Sequence, residues 1–356
     1  SFSDVGLLMT VFFVISGIGQ ALAGFVVDHH GARKVLFAGL GLLAASAALL
    51  ALAPGYPVLL LAMVLAGLGN CVFHPVDFSI LNARVSPSRL GQAYAVHGIS
   101  GSLGWALAPL FVVGITQASG SWRTALAAVA VLLLAVLAVL VQQRDALAVP
   151  QREPGAAHAA RADGGSLGFL KLAAVWSCFV FFLFSAVALG AVQTFAPAAA
   201  GRLHGVPITE VAVFITAYML ASAAGMLVGG QMARTPNQGA RIVGLGMGGA
   251  AVVALLIGLG DWPGWSVPFF FAAMGFGAGI AGPSRDLLVK QATPPGATGR
   301  VYGVVYSGLD VGQAFAPALF GALMDGGQYR AVWVVIAITQ GLLIASAFNV
   351  QWRSRK

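Results

Sequence analysis

Residues 67–109 read GLGNCVFHPVDFSILNARVSPSRLGQAYAVHGISGSLGWALAP, and residues 275–317 read GFGAGIAGPSRDLLVKQATPPGATGRVYGVVYSGLDVGQAFAP. The two stretches are copies of one pattern. Gly67 and Gly69 match Gly275 and Gly277, Pro75 matches Pro283, Pro87 matches Pro295 and Gly91 matches Gly299. Tyr94 matches Tyr302, Gly104 matches Gly312, and Ala108-Pro109 matches Ala316-Pro317. Every pair keeps one separation, 283 − 75 = 208, with no gap. Upstream, Gly31-Ala32-Arg33 matches Gly239-Ala240-Arg241 at the same offset, and Asp4-Val5 matches Glu210-Val211 at 206. A register that includes prolines and survives over forty positions is a duplication, so the chain is built as two similar halves.

What each half is made of follows from composition. Apolar residues are 59% and charged residues 8% of the 356, and the mean hydropathy is +0.89. A soluble protein carries roughly a quarter charged residues on its surface, so this chain is solvated largely by lipid. A bilayer core of about 30 Å takes roughly 20 apolar residues per helix. Eleven such spans are expected near 4–27, 35–53, 57–82, 90–116, 123–142, 168–199, 209–232, 240–259, 265–289, 300–324 and 330–350. The fold class is an all-α polytopic membrane protein.

The net charge of +8 belongs to topology. Fifteen cations fall on one side: Arg33, Lys34, Arg84, Arg89, Arg144, Arg152, Arg161, Lys171, Arg234, Arg241, Lys290, Arg300, Arg353, Arg355 and Lys356. Only Arg123, Arg202 and Arg330 face the other, and Arg285 lies inside a span. Positive loops stay in the cytoplasm. The C-terminus and the 143–165 loop are therefore expected there, in a multi-pass protein of the cell (inner or plasma) membrane, with no nucleic-acid partner. Cys71 and Cys178 sit in apolar runs and suit neither a disulfide framework nor a metal.

Parallel repeats imply two homologous halves related by a pseudo-twofold axis along the membrane normal, with sites at their interface. The expected division is 1–142, a linker at 143–165 containing Pro150, Pro154 and Gly155, and 166–356. The span at 168–199 has no counterpart in the first half, which leads us to expect one further span ahead of residue 1 and six per half.

Between the first two spans the chain reads Gly24-Phe25-Val26-Val27-Asp28-His29-His30-Gly31-Ala32-Arg33-Lys34. This resembles the loop G-x-x-x-D-[RK]-x-G-[RK]-[RK] of the major facilitator superfamily, with Gly24, Asp28, Gly31, Arg33 and Lys34 in place. His29 and Ala32 depart from the pattern, and the second-half copy from Gly230 to Arg241 has Pro236 near the place of the acid. The resemblance implies the superfamily fold, a monomer, and a cytoplasmic gate at these five residues. Asp28 would brace the start of the 300–324 helix, with Arg33 able to pair with it. The run Gly98, Gly101, Gly104, Ala108-Pro109 and Gly114 is similar to a Gly-rich motif of the family's antiporters, although Ala108 stands where that motif has Gly.

Ionisable groups inside a span are costly and mark function. Asn70, His74 and Asp77, spaced four and three apart, share a helical face beside Pro75. Tyr94 and His97 approach from the next span; Tyr302, Tyr306, Asp310 and Gln313 form another single-face stripe. Asp77 and Arg285 are repeat equivalents (285 − 77 = 208), an acid facing a base across the pseudo-twofold. Arg285 suits an anionic group. Asp310, near mid-membrane, is the first candidate for the coupling proton, and His74 and His97 are the next. Asp286 is expected to serve the loop, and Trp176, Phe179, Phe182 and Gln193 to line an apolar pocket.

No phosphate-binding Gly-Lys-Ser/Thr loop or nucleophile elbow occurs in the sequence, so an enzyme is not expected, nor a cofactor. The expectation is a proton-coupled transporter working by alternating access and exporting a small organic compound. Proton-coupled uptake of a small organic anion comes second. A non-transporting membrane sensor on the same scaffold comes third.

Overall fold

The computed structural model describes residues 2–149, 167–207, 210–233, 238–294 and 296–353. The cations Arg152, Arg161, Arg234, Arg355 and Lys356, the prolines Pro236 and Pro295, and most of the 143–165 linker lie outside the described residues. Among the described residues the structure is helical: α1 Phe2–His30, α2 Ala32–Leu52, α3 Tyr56–Asn70, α4 Phe73–Arg84, α5 Leu90–Ser119, α6 Trp122–Gln142 and α7 Ala173–Thr194. The rest are α8 Ala196–His204, α9 Ala212–Met232, α10 Gly239–Leu259, α11 Val267–Ala292, α12 Thr298–Asp325 and α13 Tyr329–Arg353. At about 1.5 Å per residue, a 21-residue helix such as α2 spans the hydrocarbon core.

Among the described residues, ten segments are long and apolar enough to cross a membrane. The helix α12, expected as the span 300–324, is long enough but breaks its apolar run with Ser307, Asp310, Gln313 and Pro317. Two expected spans are each split. The 57–82 span divides into α3 and α4 at Cys71 and Val72, where Pro75 enters the first turn of α4 without an amide hydrogen to give. The 168–199 span begins as a short turn at Gly168–Lys171 and breaks at Phe195, ahead of Pro197 in α8. Between α1 and α2 the chain turns on Gly31, whose φ of 87° is open to glycine at little cost.

The chain forms two compact units that exchange segments. The first comprises residues 1–84, 103–171 and 293–310: α1 to α4, the second part of α5, α6 and the first part of α12. Its core joins Ala23, Val27, Leu36, Leu40, Cys71, Val72 and Val76. The second comprises 85–102, 172–292 and 311–356: the first part of α5, α7 to α11, the rest of α12 and α13. Its core is built on Phe214, Phe271, Met274, Phe320, Trp333 and Ile336.

The duplication seen in the sequence is a duplication of contacts. In the first unit a Cβ on Gly67 would lie 2.9 Å from the carbonyl oxygen of Phe12, and one on Gly69 2.9 Å from that of Gly39. In the second unit Gly275 meets the backbone of Tyr218 in the same way, and a Cβ on Gly277 would lie 2.6 Å from the carbonyl oxygen of Gly246. The partners are 206 to 208 residues apart (218 − 12, 246 − 39, 275 − 67), so equivalent glycines let equivalent helix backbones touch.

Candidate functional site

In the first unit, α1 and the start of α12 pack backbone to backbone. A Cβ on Gly24 would overlap the Gly299 carbonyl, and one on Gly303 would sit 2.5 Å from the carbonyl oxygen of Gln20. This approach delivers Asp28 to the end of α12. Its Oδ1 accepts from the Gly299 amide at 2.9 Å, and its Oδ2 accepts from the Arg300 amide at 3.2 Å and from Arg300 Nε at 2.9 Å. The carboxylate thus caps the helix and pairs with its third residue, as charge and helix dipole both favour. The pairing cation is Arg300, where Arg33 was the expected one. Arg33 instead donates to the Arg144 carbonyl at 3.2 Å and lies 4.0 Å from Asp145, holding the turn after α6. Lys34 is exposed.

The second unit carries the repeat-related contact. A Cβ on Gly91 of α5 would lie 3.1 Å from the carbonyl oxygen of Gly230 on α9. Gly91 and Gly299 are equivalent (299 − 91 = 208), as are Gly24 and Gly230 (230 − 24 = 206).

Further along the α1–α12 seam lies Asp310, which is buried. Gln20 Nε2 donates to its Oδ2 at 3.2 Å, and the Ser16 hydroxyl also bonds to it. Asn70 Nδ2 in turn donates to Ser16 Oγ at 2.9 Å. Ser16 and Gln20 are themselves buried, one helical turn apart on α1. Three helices therefore hold one carboxyl group through a connected polar chain, Asn70–Ser16–Asp310–Gln20. In a low-dielectric surrounding such a chain is worth much when satisfied and costs much when broken.

From this network a stack of rings runs towards the Asp28 end. His74 lies 4.5 Å from Tyr306, Phe78 lies 4.9 Å from Tyr306 and 4.7 Å from Tyr302, and Asn82 Nδ2 donates to the Tyr302 hydroxyl at 3.3 Å. Tyr302, Tyr306 and Phe78 are buried. Asp77 is half-buried on α4.

The other expected residues lie in the second unit. Arg285 Nε donates to Asp286 Oδ1 at 2.8 Å, with a second bond from its terminal nitrogen to Oδ2 at 3.4 Å. The guanidinium lies 4.7 Å over the Phe182 ring. Asp286 is therefore a buried partner of Arg285 and not the loop residue expected. His97 lies within electrostatic reach of Asp286. Gln313 of α12 faces α7: a Cβ on Gly190 would lie 2.8 Å from its Oε1. Phe182 is buried while Trp176 is exposed, so the aromatic residues of α7 do not share one lining.

The structure thus gathers Asn70, His74, Tyr306 and Asp310 in the first unit, and His97 with Arg285 in the second. Ser16, Gln20, Arg300 and Asp286 complete the arrangement and were not anticipated in these roles. For Ser16 and Gln20 the available signal was their spacing of four in an otherwise apolar run.

The sequence profile of the Major Facilitator Superfamily matches residues 1–307. The chain belongs to that superfamily. Among its relatives, this superfamily member is 30% identical over 137 residues to the fosmidomycin resistance protein of Escherichia coli, covering 38% of this chain and 34% of that protein. Over 175 residues it is 29% identical to the membrane sensor protein UhpC of Salmonella typhimurium, covering 43% and 38% respectively. A multidrug resistance protein B homolog of Mycobacterium tuberculosis is 33% identical over 101 residues, covering 28% and 18%. The matches span about a third of the first relatives' length. The fold is shared with the Escherichia coli fucose:proton symporter (TM-score 0.75, 14% identity, 98% of this chain and 91% of that one). It is also shared with the human organic anion transporter MFSD10 (TM-score 0.73, 18% identity, 97% and 83%).

Proposed function

We propose that the protein is a proton-coupled secondary transporter that works by alternating access and exports a small organic compound. The observation that carries this reading is the buried Asp310 held between α1 and α12 by Gln20 and Ser16. A carboxyl group in lipid-embedded helices is expensive unless it is satisfied or protonated. Separating α1 from α12 removes its two donors, so opening this seam and taking up a proton are linked steps. His74 and Tyr306, whose rings are 4.5 Å apart, lie four residues from Asn70 and Asp310 respectively and are the groups we assign to exchange that proton. Asp28 and Arg300 latch the same seam at its end, which we assign to the cytoplasmic side from the asymmetry of the cations.

Export is favoured over uptake of an organic anion because Arg285, the cation that motivated the anion reading, is engaged by Asp286. The names of two relatives, a fosmidomycin resistance protein and a multidrug resistance homolog, support the same direction.

The test is transport of fosmidomycin and ethidium into energised inverted membrane vesicles carrying the protein. Accumulation that collapses with the proton gradient and is lost in Asp310→Asn is expected. Accumulation in right-side-out vesicles under an inward proton gradient would reverse the direction. Binding without movement in either orientation would favour a sensor.

A further inference from the structure

One end of the second unit is fastened by a histidine that lies beyond the membrane-crossing segment Ala173–Thr194. Helix α10 ends at Leu259, and the last carbonyls of a helix have no partner within it. Two of them are met by side chains. The Trp262 indole Nε1 donates to the Leu256 carbonyl at 2.6 Å, and His204 Nε2 bonds to the Ile257 carbonyl at 3.0 Å. His204 is the last residue of α8, and the chain turns away from it on Gly205 at a φ of 66°. Its other ring nitrogen, Nδ1, lies 3.4 Å from the backbone amide of Trp262. One half-buried imidazole therefore ties α8 both to the end of α10 and to the loop 260–266 that leads into α11. The loop leans on the same place, since a Cβ on Gly264 would lie 2.6 Å from Val206 and 3.4 Å from the His204 carbonyl oxygen.

The partners decide which protons the ring carries. A carbonyl only accepts, so Nε2 bears a hydrogen; an amide N–H only donates, so Nδ1 keeps its lone pair. The neutral Nε2–H ring alone makes both contacts. A proton added at Nδ1 removes the acceptor and sets one N–H against another. The contact with Ile257 survives, because a cation is favoured at the carbonyl end of a helix. Charging the ring thus releases the loop and leaves α10 tied. The charged and titratable groups on the elements around α8 at this end are Arg202, Glu210, Tyr218, Asp261, Tyr329 and Arg330. Asp261 and Arg330 pair with each other at 3.3 Å in exposed positions, where solvent screens what they add at the ring.

We infer that His204 is a pH-sensitive clasp on the outer end of the second unit: uncharged, it holds the loop before α11 against α8, and protonated, it lets that loop go. The asymmetry of the cations assigns this end to the outside, so the pH it reads is the external one. Histidine changes charge between about pH 5 and 8, so the hold is present at the alkaline end of that range and lost as the pH falls. The loop leads into α11, which carries Arg285 and Asp286, and an acidic exterior frees the outer lead of that helix. The clasp does not involve Asp310 and does not rest on the transport reading.

The experiment uses purified full-length protein in detergent, with nitrogen-15-labelled histidine for ring spectra and hydrogen exchange for the loop. The His204 signals are those missing from His204→Asn, and at alkaline pH they are expected to show hydrogen on Nε2 and a bare Nδ1. Exchange of the loop is compared at about pH 8 and about pH 5 after correction for the intrinsic pH dependence of amide exchange. Protection of the Trp262 amide is expected to fall by about fivefold or more in acid, the worth of one ordinary hydrogen bond. His204→Asn, whose side-chain oxygen accepts at either pH, is expected to show equal protection at both. His204→Gln, which keeps a donor for Ile257 and lacks the acceptor at the Nδ1 position, is expected to be weakly protected at both, and serves if His204→Asn does not elute as the parent does. Hydrogen on Nδ1 at alkaline pH, or equal loop protection at both pH values in the parent, would overturn the clasp. A fall as large in either variant as in the parent would overturn the role of His204.

Discussion

Removing the Asp28 carboxylate is the perturbation with the best-defined consequence. It accepts two backbone amides at the start of α12 and the Arg300 guanidinium, at 2.9 to 3.2 Å. A hydrogen bond to a charged group contributes roughly 1.5–3 kcal/mol net, and loss of a helix cap costs about 1 kcal/mol. Solvent at the membrane surface weakens the ionic part, so about 2 kcal/mol is a fair figure for Asp28→Ala. That corresponds to roughly thirtyfold in an equilibrium. The loss falls on the state in which α1 and α12 touch and not on one in which they have parted. If about one molecule in a hundred is parted at rest, about one in five is parted in the variant. Spin labels at Lys34, which is exposed, and at Thr298 report the separation by pulsed electron resonance. A second, longer distance of that population is expected in Asp28→Ala. Asp28→Asn, which keeps one acceptor, should show about a fifth of the enrichment. An unchanged distance distribution in folded Asp28→Ala would refute the latch.

Other perturbations follow from the same geometry. Gly24→Val places side-chain atoms in the Gly299 carbonyl and the Arg300 backbone, which cannot yield as a flexible side chain can; helix contact is lost, and the long label separation should dominate as strongly as in Asp28→Ala or more so. Asp286→Ala leaves the Arg285 charge half-buried beside Phe182 without this carboxylate, and the melting temperature should fall by several degrees, whereas Asp286→Ala with Arg285→Met should recover most of it. Tyr306→Ala empties a buried position between His74 and Phe78 and should cost about 3–5 kcal/mol of stability, read as a lowered unfolding midpoint, with Tyr306→Phe costing far less.

Much of this architecture is written in local sequence. Apolar runs set the helices because lipid admits little else, and the repeat legible in the sequence reappears as paired contacts, Gly67 on Phe12 beside Gly275 on Tyr218. The split of the 57–82 span escaped the pattern because Cys71 and Val72 are as apolar as their neighbours, and only the backbone shows the break. Asp28 at the start of α12 was suggested by resemblance; its pairing with Arg300 rather than Arg33 depends on a helix 270 residues away and has no local signature. The contact of Gln313 with Gly190 on α7 likewise depends on a distant helix and has no local signature. Arg285 and Asp286 are about 100° apart around their helix, and the sequence reading kept them separate; the long guanidinium arm folds back to its neighbour instead.

The claim on which the mechanism turns is that Asp310 exchanges a proton as its seam opens, and counting protons is the direct test. Purified protein in unbuffered detergent, titrated with Asp28→Ala as the parted-state variant beside the parent, is placed under a sensitive pH electrode while a transported compound is added. About one proton moved per molecule in the parent, and none in Asp310→Asn at equal ligand occupancy, is the predicted result. The same proton count in Asp310→Asn as in the parent would contradict it.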